Sequence, residues 1–154
     1  IVETMVAQDL AHVQVEFAKI MESPDPREEF LSVIRARLRS VLIEKDGPLW
    51  AEIEAASARR PEIGAISRKM EETVVACVSR VFARIAGRPE SAAADLTPHA
   101  LLILMLVKGV AMRGCGQHGE REAEPLPTDV EDLILRMVDN IITDATSLAA
   151  PLNS

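Results

Sequence analysis

Aromatic side chains are scarce: they make up 3% of 154 residues, with no Tyr, one Trp and three Phe. The row of stacking platforms that grips single-stranded nucleic acid is therefore missing. The core has to be built from Leu, Ile, Val, Met and Ala, a composition that suits helices. Cysteine is nearly absent as well. Cys77 and Cys115 fall on separate predicted helices with no ligand or disulfide spacing, so reduced thiols are expected. Positive charge is in deficit, with 17 Lys and Arg against 24 Asp and Glu, a net charge of −7 and a pI near 5.0. A surface of that sign repels a phosphate backbone, so these residues alone are not expected to bind DNA or RNA. Glu3 and Asp9 interrupt the opening residues, which rules out a basic-then-apolar leader there. The most apolar run, Ala100 to Met112, is 13 residues long and contains Lys108. It falls short of the roughly 20 residues that span a bilayer. A cytoplasmic location with no membrane partner is expected.

What the chain does have is helical periodicity, and the length fits one domain, 1–154. Val2, Val6, Leu10, Val13, Phe17 and Ile20 recur at three- and four-residue spacing and predict a first helix over 2–21. Ser23-Pro24-Asp25-Pro26 stops it, with Asp25 placed as N-cap and Pro26 in the first turn of a second helix to about Ile43. Lys45-Asp46-Gly47-Pro48 reads as a turn before a short third helix, 49–59. A long fourth helix over 62–86 carries Ile63, Ile66, Met70, Val74, Cys77 and Val81 on one stripe and ends at Gly87-Arg88-Pro89. Residues 90–95 read as a small, polar loop. Thr97 is expected to cap a fifth helix that is apolar nearly all round, which requires burial on more than one side. Gly114 to Gly119 breaks it, and an acidic loop leads to Thr128, whose capping box with Glu131 opens a sixth helix. The expected class is all-α, with six helices and no strand.

Few residue constellations carry chemistry. Cys115 and His118 are too few for a metal site, and no cofactor or metal is expected. Cys77 sits on an apolar stripe with no His beside it, and reads as a small core hydrophobe more readily than as a nucleophile. His99, in the first turn after Pro98, reads as a surface residue, and no catalytic residue is assigned. Lys108 stands alone among apolar neighbours: it either reaches for solvent, meets a carboxylate from another helix, or lines a cavity.

One stretch goes further. Leu49-Trp50-Ala51-Glu52, Ala55-Ala56-Ser57-Ala58-Arg59-Arg60-Pro61-Glu62-Ile63 and the earlier Ser23-Pro24-Asp25-Pro26-Arg27-Glu28-Glu29-Phe30-Leu31 resemble the effector-binding and dimerisation domain of TetR-family transcriptional regulators. In that family a long helix leads from a DNA-binding head into the body; the first helix here corresponds to it. The last two helices, 97–114 and 128–148, resemble the pair that forms a four-helix bundle across a dimer two-fold. The family's helix-turn-helix has no counterpart in these residues: the chain is either a piece of a longer protein or a protein that has lost its head, and Ile1 as first residue favours a piece, with the DNA-binding head expected upstream.

The resemblance implies a homodimer, a repressor, no catalysed reaction, and a mainly hydrophobic small effector bound between helices one, two, four and five. DNA enters only through the missing head. Effector binding would shift a population, swinging the first helix and spoiling the one-turn spacing of two recognition helices. Placed by helix face, the apolar pocket candidates are Met5, Ile34, Leu38, Trp50, Met70, Val74, Cys77 and Met105; the polar ones are His12, Thr73 and Lys108, the last expected to meet an acidic group of the ligand. Leu102, Leu106, Val110, Leu135 and Ile142 are assigned to the dimer interface. Two other kinds of function fit the same helices: a dimeric adaptor with no ligand, and a small enzyme using His12 or His99.

Overall fold

A computed structural model of the chain describes residues 1–43, 46–115 and 126–149. Six α-helices account for most of them: α1 (Val2–Glu22), α2 (Pro26–Ile43), α3 (Asp46–Arg59), α4 (Pro61–Ile85), α5 (Thr97–Cys115) and α6 (Thr128–Ala149), with a 3₁₀ helix over Glu90–Leu96. No strand occurs among the described residues. The class is all-α, as the periodicity predicts.

The helix ends follow from local chemistry. Ser23 and Arg60 each precede a proline and are extended, at φ −66°, ψ 141° and φ −127°, ψ 107°, because the following ring disfavours the helical region. Asp25 caps α2: its carboxylate accepts from the Glu28 N–H at 3.2 Å and its carbonyl from the Glu29 N–H at 3.1 Å. Gly87 closes α4 at φ +68°. The Arg88 N–H donates to the Ala83 carbonyl at 2.9 Å and the Gly87 N–H to Arg84 at 3.2 Å, the bond pair of a left-handed C-terminal cap.

Four local expectations need correction. α3 begins at Asp46, so Gly47 and Pro48 lie in its first turn, where a missing N–H costs nothing. Residues 90–96 are not an open loop: the 3₁₀ helix buries Ala93 and Leu96. It runs straight into α5, and Thr97 is helical at φ −52°, ψ −43° rather than an extended cap. Glu131 does not serve a capping box. It is 9% exposed and turns to α2, at 3.1 Å from Arg39 and 3.7 Å from Arg35. The Gly114 to Gly119 break and the acidic loop fall largely outside the described residues, as does the pairing of Cys115 with His118.

The helices surround one main core. Phe30 of α2 sits at its centre, 5.4 Å from the Phe82 ring at 78°, the edge-on arrangement that aromatic quadrupoles favour, and 6.4 Å from Phe17 at a tilt of 41°. Leu96, Ile103, Val138 and Ile142 complete it from the later elements. A smaller cluster of Val6, Ile53 and Ile63 fastens α1 and α3 to the start of α4. Polar ties hold α6 on α2, where Arg27 reaches Asp139 at 2.8 Å and the Thr143 hydroxyl at 2.6 Å.

The stretch Glu90–Arg113 is 24 residues long, and is long and apolar enough by length and composition to cross a membrane. That departs from the 13-residue reading, because the 3₁₀ helix extends it. Five of its residues, Ala93, Leu96, Ala100, Ile103 and Ala111, are nonetheless buried within the chain.

Candidate ligand cavity and outer apolar face

A cavity of about 150 Å³ lies among α1, α2, α3, α4 and α5. Its deep wall is Val13, Phe17, Ile34, Val78 and Ile103, each at most 8% exposed. These positions fall on the inward stripes of four helices that do not close completely on one another. Trp50, Met70 and Val74 continue the wall and are half-buried. A void of this size holds about one aromatic ring.

Charged groups ring its outer part. Arg37 of α2 donates to Asp9 of α1 at 3.3 Å. Lys108 of α5 lies 2.7 Å from Glu54 of α3 and also hydrogen-bonds Glu71 of α4. Burial opposes the charge on Lys108, but hydrogen bonds and attraction from the two glutamates outweigh it and raise its pKa. Glu16 lines the cavity as well, and its partner is the exposed His12 at 3.5 Å.

The candidates named from sequence separate into groups. Ile34, Trp50, Met70, Val74 and Lys108 line the cavity. Leu38 and Cys77 are buried behind it, at 1% and 3% exposure, as core. Cys77 accepts a hydrogen bond from the Arg80 guanidinium at 3.4 Å, which raises the Arg80 pKa. Met5 is half-buried beyond the lining. The Thr73 hydroxyl donates to its own helix, to the Lys69 carbonyl at 2.9 Å. The His12 side chain is 67% exposed and turned toward Glu16. Met105 is 61% exposed, on the side of α5 away from the cavity.

Periodicity missed Phe17, Arg37, Glu54 and Glu71 as lining residues. Phe17 was legible as part of a stripe, but a stripe does not say whether it faces atoms or space. The two glutamates stand 54 and 37 residues from Lys108 in the chain, and the lone lysine was the only sign of them.

A second feature lies on the outside. Leu101, Leu102, Met105 and Met112 of α5 and Leu133 and Met137 of α6 are between 45% and 61% exposed. Of the residues assigned to an interface, Leu102 belongs to this face, while Leu106 and Val110 pack against the core. Leu135 and Ile142 are a correction: at 7% and 0% exposure they are core of their own chain. α6 is apolar on two sides, and α2 and α4 take the side that carries them.

His99 pairs with Asp144 at 2.7 Å, tying α5 to α6, and its Nδ1 has no hydrogen-bond partner among the described residues. Neither residue lines the cavity. Among the described residues no group of three or more His, Cys, Asp or Glu is arranged to hold a metal ion. No family model, curated protein or solved structure matches the chain.

Proposed function

We propose that this chain is the effector-binding and dimerisation domain of a ligand-responsive, TetR-like transcriptional repressor acting in the cytoplasm. The observation that carries this reading is the cavity itself: an apolar chamber with a charged rim, walled by five helices. α1, the helix that would lead to a DNA-binding head, supplies Asp9, Val13, Glu16 and Phe17 to the lining. An occupant therefore presses directly on α1. If the α1 positions with the cavity filled and empty differ, ligand affinity and DNA affinity become coupled through them. The sequence resemblance supports the same reading, and the outer face of α5 and α6 offers apolar surface for a second copy. No reaction is part of it.

The test is calorimetry and thermal shift with a neutral, ring-sized probe, benzyl alcohol, against the wild-type chain and Val74→Trp, which fills the chamber. Binding to wild type that Val74→Trp abolishes is the expected result. No binding, or equal binding to both, removes the effector role and leaves a dimeric adaptor that uses the outer face. A helix-turn-helix encoded upstream of Ile1 is the companion observation; an open reading frame starting at Ile1 would remove the DNA-binding part.

A further inference from the structure

Among the described residues the charges around the cavity do not balance, and the imbalance has a sign. Asp9 and Arg37 neutralise each other as a two-pronged pair. Lys108 is shared by two carboxylates, those of Glu54 and Glu71, so that cluster carries one negative charge in excess. Glu16 adds a further carboxylate to the lining, with the exposed His12 3.5 Å away. Glu16, Glu54 and Glu71 all line the chamber.

This count disfavours an acidic ligand group on Lys108. An incoming carboxylate finds its counter-ion already held twice over and meets Glu54, Glu71 and Glu16 as like charges. An incoming ammonium meets the reverse. The glutamate side chains are partly shielded, at 37% and 36% exposure for Glu54 and Glu71, so the attraction is not fully screened by water. Trp50 and Phe17 in the wall add aromatic surface that favours a cation over a neutral isostere.

We infer that the cavity takes a small organic cation: one aromatic or comparably sized apolar body bearing an ammonium group, the body against Phe17, Ile34 and Val78 and the charge beside Glu54 and Glu71. This rests on the proposed effector role and names its ligand class. The volume suits a ring-sized body, and the carboxylates favour a positive charge on it. Lys108 links α3, α4 and α5 through those glutamates, so a competing ammonium also loosens that link.

The experiment compares three ring-sized probes by calorimetry on the full chain: benzyltrimethylammonium, benzyl alcohol and phenylacetate. The cation is expected to bind about tenfold more tightly than the alcohol at low ionic strength, with the margin shrinking as salt is added. Phenylacetate is expected to bind most weakly. Glu71→Gln and, separately, Glu54→Gln should each remove most of the cation's margin over benzyl alcohol, with circular dichroism reporting that each variant is folded. Tighter binding of phenylacetate, or equal binding of cation and alcohol, overturns the cation assignment and leaves the effector role standing. Failure of all three probes overturns both.

Discussion

The Lys108 ammonium and the Glu54 carboxylate lie 2.7 Å apart, joining α5 to α3, and Glu71 brings α4 to the same point. One lysine in an otherwise apolar helix segment thus fixes three helices around the mouth of the cavity. Removing it leaves two carboxylates facing each other without a counter-charge.

Lys108→Met should cost about 1 kcal/mol at neutral pH, because the pair is partly solvent-screened. The sign with pH follows from the raised pKa of Lys108. Its contribution is fully present below the unfolded lysine value, about 10.4, and is lost as pH rises through the higher folded value. Urea melts from pH 7 to 11 check this: wild type should lose its margin over Lys108→Met only at the alkaline end. A margin that vanishes near pH 8 would show that the ion pairs contribute nothing.

If α5 and α6 present their outer face to a second copy, charge placed there should separate the copies without unfolding them. Met105→Glu and Leu133→Glu, at 61% and 50% exposure, are expected to keep wild-type helicity by circular dichroism and to halve the mass seen in light scattering. Ile142→Glu is expected to unfold the chain instead, costing about 4 kcal/mol or more, since Ile142 is fully buried. Soluble dimers of both outer-face variants would place the interface elsewhere.

Gly87 is left-handed at φ +68°, and nothing lies within 4 Å of where a side chain would begin. The cost of Gly87→Ala is therefore backbone strain alone, about 1–2 kcal/mol. Gly87→Asn should cost less, because Asn tolerates that region. Chemical denaturation reads the difference as a shift in midpoint with unchanged slope. Equal costs for the two would point to a loss other than backbone conformation.

Much of the fold was legible in the chain, and the reasons are local. The repeat of Val6, Val13, Phe17 and Ile20 carries the inward face of α1, and all four are buried. The prolines at 24, 26, 61 and 89 mark breaks between elements. The cavity was legible only in part. Ile34, Trp50, Met70 and Val74 were placed by helix face, and so were Leu38 and Met105, yet one of these last two is core and the other outer surface. Two apolar sides on one helix look alike in sequence whichever way the helix is rotated.

By itself the sequence determined that this protein is all-α, where most of its helices begin and end, and that its surface is acidic. Those properties depend on spacing, capping and composition, which act over a few residues. The tertiary structure alone decided that α6 turns Leu135 and Ile142 inward, that Glu131 answers Arg35 and Arg39, and that Lys108 is held by Glu54 and Glu71. The ion pairs among these join groups 37 to 96 residues apart, from Glu71 and Lys108 to Arg35 and Glu131. No local rule carries that information, because it depends on how the helices pack against one another.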